Sequence, residues 1–315
     1  MALAGRIAVV TGASRGIGKG IALQLGEAGA TVYVTGRKPE SSDNTSKGLS
    51  GLQETAKEIT ERGGKGIAVY VDHGDMEAVR ELFEQIDREN NGQLDILVNN
   101  AYQAVTAIME SSGIPFYEQD PYFWDTVNNV GLRNHYFCSV YGAKLMVKQR
   151  SGLIVNISSA GGLKYFFNVA YGVGKQALDR LAADTAVELK KDNITVVSIW
   201  PGPVKTELVK SYQEGNARND ITSEMFSRGE STEYAGKAVV ALAKDSKRLN
   251  KTGKILITED LGSEYGFKDI DGSTPGNLRS VSWIIEFFGW KKTASLIPSW
   301  VKLPGWVMWA GTSRL

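Results

Sequence analysis

The sequence predicts an α/β chain in which one parallel sheet is covered by helices on both faces. Three observations carry that reading. Short β-branched runs alternate with stretches of helical apolar period from residue 6 to about 200, a glycine-rich turn follows the first run, and no linker or internal repeat interrupts the alternation. The predicted strands are Ile7–Val10, Thr31–Val34, Ile67–Val71, Ile96–Val98, Leu153–Ile157 and Thr195–Ile199, with Ile255–Ile257 closing one edge. Between the first two runs, Ile17, Ile21, Leu25 and Ala28 recur at helical spacing and Gly29 breaks the pattern, which makes this stretch a βαβ unit. A further helix is expected near Leu52–Arg62, reached through a solvated loop rich in Ser, Gly and Asn at Ser41–Ser50.

With 315 residues, 42% hydrophobic content and a formal net charge of +1, the chain can build one large core, and its bulk charge offers no reason to seek nucleic acid or acidic membranes. A small-molecule partner is expected instead. The single cysteine, Cys138, excludes an internal disulfide framework and a cysteine metal cluster, so a reducing compartment is the expectation. Only two histidines occur, His73 and His135, and no metal site is expected. The glycine motif already begins at Gly12, which argues against a cleaved secretion signal, and no run reaches the ~18 apolar residues of a spanning helix. The reading is an intracellular protein, cytoplasmic or held peripherally on an internal membrane such as the endoplasmic reticulum.

Thr11-Gly12-Ala13-Ser14-Arg15-Gly16-Ile17-Gly18 lies between the first strand and the first helix. Glycines at such a turn let the backbone approach a pyrophosphate, and the helix start offers unpaired N–H groups and a positive dipole end. Gly12, Ser14, Arg15, Gly16, Ile17 and Gly18 are therefore candidate cofactor-binding residues. An NAD site places an acidic residue at the end of the second strand, but this chain has Gly36 followed by Arg37. Arg15 and Arg37 together suit a 2′-phosphate, so NADP(H) is preferred and NAD(H) stays open.

Tyr171 and Lys175 stand four residues apart, on one face of a helix. A phenol titrating near ~10 is a sluggish base at neutral pH, and a neighbouring ammonium brings its proton transfer within range. The glycine spacing, Asn99-Asn100-Ala101, Tyr171-x-x-x-Lys175 and Pro201-Gly202 stand in register, and together they resemble the short-chain dehydrogenase/reductase family over residues 5 to 262. The resemblance implies a Rossmann-type doubly wound sheet in three α/β/α layers. It also implies one catalytic domain over residues 1–262, with an aromatic-rich extension over 263–315. It puts Asp72 at the adenine, Asn99 at the adenosine ribose, Thr206 at the carboxamide after the Gly202 turn, and Lys175 also at the nicotinamide ribose. Ser159 takes the substrate-orienting position, with Ser158 as the neighbouring candidate. A dimer or tetramer is the family's usual assembly.

Two positions depart from the family pattern. Tyr102 replaces the glycine after Asn99-Asn100-Ala101, and Gly131 falls where the fourth helix usually carries an asparagine. A rival register, Asn128-x-x-Gly131, restores the asparagine but displaces Trp124 by three residues. The missing asparagine leaves a second function open, that of an NADP(H)-binding scaffold or redox sensor without catalysis. Val130–Cys138, Val169–Lys175 and Trp200–Gly202 resemble one branch of the family, which implies reduction of lipophilic ketones or aldehydes, steroid-like ones among them. Substrate choice is expected in the loops Tyr102–Tyr122 and Lys205–Gly229, with Tyr165, Phe166, Phe167 and Trp200 as candidate lining. Five of the seven tryptophans (Trp283, Trp290, Trp300, Trp306, Trp309) fall in the tail, which reads as a packed cap, a dimer contact or a membrane-surface anchor.

Overall fold

Seven strands, all parallel, form the sheet of the computed structural model: β1 Ile7–Val10, β2 Thr31–Gly36, β3 Lys65–Tyr70, β4 Ile96–Asn99, β5 Gly152–Ile157, β6 Ile194–Trp200 and β7 Ile255–Ile257. The structure describes residues 1–39, 51–111, 113–210, 226, 229–287, 289–298 and 300–310, so the Ser41–Ser50 loop and most of the Lys205–Gly229 loop lie outside the described residues. The strand order is β3-β2-β1-β4-β5-β6-β7, and the order reverses between β1 and β4. This is the doubly wound, Rossmann-like arrangement, in which ligands sit beyond the strands' carboxyl ends at the reversal. The predicted edge at Ile255–Ile257 pairs with β6 through Ile199↔Leu256. The third strand begins at Lys65 rather than Ile67, because β2 pairs along its whole length from Thr31↔Lys65 to Gly36↔Tyr70.

Alternation along the strands divides the core between the two faces. Val10, Val34 and Val98 pack with Ile21 and Leu25 of α1 (Gly16–Glu27) and Ile59 of α2 (Leu52–Glu61). Val9, Tyr33 and Leu97 pack on the other face with Leu82 and Ile86 of α3 (Met76–Glu89) and Met146 of the Asn134–Gln149 helix. Asp75 caps α3 by accepting from the Glu77 and Ala78 amides, as a helix start with an Asp at the N-cap should.

The long helix Val169–Leu189 carries the Tyr171 and Lys175 pair and packs against β6 and β5. Beyond β7, the chain returns along the sheet edge, where Asp260 accepts from Asn277 Nδ2 (2.9 Å), Arg279 (2.7 Å) and Lys302 Nζ (2.7 Å). Trp290, Trp300 and Trp306 are exposed. Among the described residues, no helix is long and apolar enough to cross a membrane.

Candidate active site

The glycine turn is pinned from below by the segment that ends β4. Thr11 Oγ1 accepts from the Asn100 and Ala101 amides (2.9 and 3.0 Å), and Asn100 Nδ2 donates to the Thr11 and Gly12 carbonyls (2.9 and 3.0 Å). Gly12 adopts φ +65°, and a Cβ there would stand 2.7 Å from Ala101 Cα, so no other residue fits. A Cβ at Gly18 would stand 2.3 Å from the Gly12 carbonyl oxygen. The start of α1 already receives an anion, because Glu207 Oε2 accepts from the Gly16 amide at 3.0 Å. An anion-accepting helix start under a glycine cradle fits a pyrophosphate. Thr206 approaches the same turn, its Cγ2 3.7 Å from where a Gly16 Cβ would be.

Arg15 is the extended N-cap residue of α1, and Arg37 is exposed just past β2. A Cβ at Gly36 would stand 3.8 Å from Ser14, so the end of β2 abuts the glycine turn. Asp72 is exposed beyond β3 and accepts from the Gly74 amide (2.8 Å). Asn99 is fully buried, and its Nδ2 donates to Ser139 Oγ (2.9 Å) and Asn156 Oδ1 (2.8 Å). Gly202 is held tightly, since a Cβ there would meet Glu259 Oε1 at 2.5 Å.

The reactive cluster forms where β5 meets the long helix. Asn168 caps that helix by accepting from the Tyr171 amide at 2.9 Å, which fixes the tyrosine in its first turn. Burial pushes the Tyr171 phenol above its ordinary value, and a hydrogen bond with the Ser159 hydroxyl works against that rise. Ser158 points the other way and donates to the Lys175 carbonyl oxygen at 3.0 Å. Strand alternation thus separates the two serines, with Ser159 on the tyrosine's side.

Lys175 is buried and donates through Nζ to the Ile157 carbonyl oxygen at 3.2 Å. Burial pulls its ammonium down to about 8, opposed by the charge of Asp179 one turn further along. Burial also raises the Asp179 carboxyl to about 6 against hydrogen bonds from Trp200, Ser158 and Ser198. Trp200 Nε1 donates to both oxygens of that carboxyl at 3.1 and 3.2 Å, which ties the indole to the core. It also walls a cavity of about 250 Å³ between β7 and the tail, with Leu163, Arg279 and Met308. Phe167 stacks edge-on to Tyr171 at 5.2 Å, and Tyr165 and Phe166 are exposed beside it.

Asn168 and Asp179 join the cluster without having been singled out from the sequence, and Asn100, read there only as part of a strand-end motif, joins it too. Asn100 and Asn168 carry readable signals, a polar pair closing a strand and a helix N-cap. Asp179 stands at i+4 from Lys175, which periodicity alone would place on the same face. His135 is buried with Nε2 at 3.0 Å from the Ala101 carbonyl oxygen, and burial together with the Lys175 charge holds its imidazole neutral, down to about 3.

A family model described as short chain dehydrogenase matches residues 6–217. The chain is 48% identical over 96% of its length to the mouse (Mus musculus) dehydrogenase/reductase SDR family member 1, covering 96% of that protein. It is 47% identical over 98% of both chains to the human (Homo sapiens) protein of the same name. Among solved structures, a metagenomic short-chain oxidoreductase in complex with NADP superimposes with a TM-score of 0.62 at 27% identity, covering 82% of this chain and 98% of that one.

Proposed function

The chain belongs to the short-chain dehydrogenase family of oxidoreductases, and from that premise we propose that it is an NADPH-dependent carbonyl reductase, or alcohol dehydrogenase in reverse, with Tyr171 as general acid/base. The observation that carries the proposal is the grouping of Ser159, Tyr171 and Lys175, with the serine hydroxyl and the tyrosine ring both against Gly161 and the buried lysine ammonium 5.8 Å from the centre of that ring. The NADP-bound relative supports a nicotinamide cofactor, and Arg15 and Arg37 support the phosphorylated form. Gly12, Ser14, Gly16, Ile17 and Gly18 would hold the pyrophosphate, with Asp72 at the adenine end and Gly202 and Thr206 at the nicotinamide end. Bound there, the cofactor supplies hydride to a carbonyl carbon or takes it from a carbinol.

In the reductive direction the Tyr171 hydroxyl donates its proton to the substrate oxygen while the Ser159 hydroxyl donates a hydrogen bond to the same atom. Lys175, charged below about pH 8, favours the phenolate left behind and lets a proton return to it. The exposed rings of Tyr165, Phe166 and Phe167 favour a lipophilic ketone or aldehyde, steroid-like compounds included. NADPH oxidation against NADH on a panel of such carbonyls tests the reading. Turnover that prefers NADPH and vanishes in Tyr171→Phe supports it, and tight NADPH binding with no Tyr171-dependent turnover sinks it.

Residues 263–315 form, in this proposal, an extension to the catalytic domain that rests on a membrane surface through its exposed tryptophans. Flotation with phospholipid vesicles should retain the parent and lose a chain truncated at residue 275; equal flotation of both discards the anchor.

A further inference from the structure

Tyr102 and Gly131 look like two separate departures in the sequence, yet in space they meet. A Cβ built on Gly131 would stand 2.5 Å from Cε2 and 2.7 Å from Cδ2 of Tyr102, closer than real Cβ contacts come. While that ring is in place no side chain fits at residue 131, an asparagine included. Gly131 lies in a π-helical turn, Asn129–Arg133, between two α-helical segments, which present it to the ring.

The ring that displaces the side chain reaches the reactive cluster. Lys175 Nζ lies 4.7 Å from the Tyr102 ring centroid, closer than its 5.8 Å to the Tyr171 ring. Tyr102 and Tyr171 stand edge to face at 6.4 Å with an interplanar angle of 78°. The Tyr102 hydroxyl is buried and has no hydrogen-bond partner among the described residues, so its polar end does not explain its position. Its ring face does.

We propose that Tyr102 is a positioning residue that takes over the asparagine's place in the reactive centre, its ring face holding the Lys175 ammonium toward Tyr171, with Gly131 as the accommodation that admits the ring. The role of Lys175 rests on the function proposed above; the contact itself does not. An aromatic face attracts a cation most strongly where water is excluded, and Nζ sits there with one carbonyl partner, Ile157 O. The groups facing the ammonium are Tyr171 and Asp179 from its own helix, Tyr102 from the β4 loop, and neutral His135 from the helix after the π-turn. Asp179 favours the charged form and burial opposes it. The ring adds to the first of these.

Two measurements decide the matter without cofactor or turnover. The first is a thermal double-mutant cycle. Gly131→Asn should lower the melting temperature by several degrees, and Tyr102→Gly should recover at least half of that loss when the two are combined. Strictly additive losses would mean that the positions are independent and would overturn the coupling. In the second, the Lys175 titration is followed by NMR on protein carrying ¹³C-labelled lysine, its resonance assigned by its loss in Lys175→Met. Tyr102→Leu keeps the site apolar but removes the ring face, and should lower the midpoint by about one pH unit. Tyr102→Phe keeps the face and should leave the midpoint within ~0.3 unit. A midpoint shared by parent, Phe and Leu variants overturns the ring's role. Failure of the proposed function would show separately, as an untruncated parent that turns over no carbonyl.

Discussion

At the carboxyl ends of β4 and β5 the chain gathers a buried lysine, two half-buried tyrosine rings and a buried neutral imidazole, whereas in the tail it pairs charges at Asp260 and leaves three tryptophans in solvent. Burying ionisable groups costs stability unless they are matched, and Lys175 is matched only in part, by one carbonyl, one carboxyl a turn away and two rings. An imperfectly matched buried charge of this kind is what the proposed chemistry requires. In the tail the reverse holds at Asp260, whose charge is paired with Arg279 and Lys302, while Trp290, Trp300 and Trp306 expose apolar area. The contrast predicts that changes at the first region act on rate and those at the second on stability or attachment.

The largest effect is expected from Lys175→Met, which should lower turnover about 10²–10⁴-fold without lowering the melting temperature, since a buried charge is removed. A rate within tenfold of the parent would break the contrast. Next, Arg37→Glu should reduce the preference for NADPH over NADH by about 10–100-fold, measured as the ratio of kcat/KM values. The pH dependence follows from the directions of the shifts. Burial holds the Tyr171 phenol protonated to higher pH than usual, while the Lys175 ammonium loses its proton near 8. Reductive turnover should therefore fall as pH rises through about 8, and a decline set only above the ordinary phenol value of ~10 would assign the limb to the tyrosine instead.

Much of this was readable from one sequence because it is local. The β1–α1–β2 unit, the glycine turn and the Tyr171–Lys175 spacing each depend on residues close in the chain, and Ile7–Val10 and Ile255–Ile257 emerge with the expected ends. Register in the sequence favours Ser159 over Ser158, and what the chain alone does not show is that Ser158 is spent on the Lys175 carbonyl oxygen. The meaning of Gly131 was hidden for the same kind of reason. Its partner, Tyr102, lies in another loop, and a missing side chain carries no pattern that says what fills its place. Trp200 reads as pocket lining from sequence, yet its indole N–H is spent on Asp179.

The smallest effect expected is in the tail. Asp260→Ala removes the acceptor shared by Asn277, Arg279 and Lys302 and should cost about 1–2 kcal/mol, lowering the melting temperature by about 2–4 °C with turnover retained. A loss of turnover on the scale of Lys175→Met would show that the tail and the reactive centre are one unit and would erase the contrast.

The central claim is that Tyr171 protonates an oxygen whose carbon receives hydride. It is tested most directly with NADPH deuterated at the transferable position, by mass spectrometry of the alcohol formed from a lipophilic ketone in a single turnover. Deuterium is expected on the carbinol carbon with the parent, and no labelled alcohol with Tyr171→Phe. Label that stays on tightly bound cofactor in both proteins, with the ketone recovered unchanged, would contradict that claim and leave a nucleotide-binding protein without catalysis.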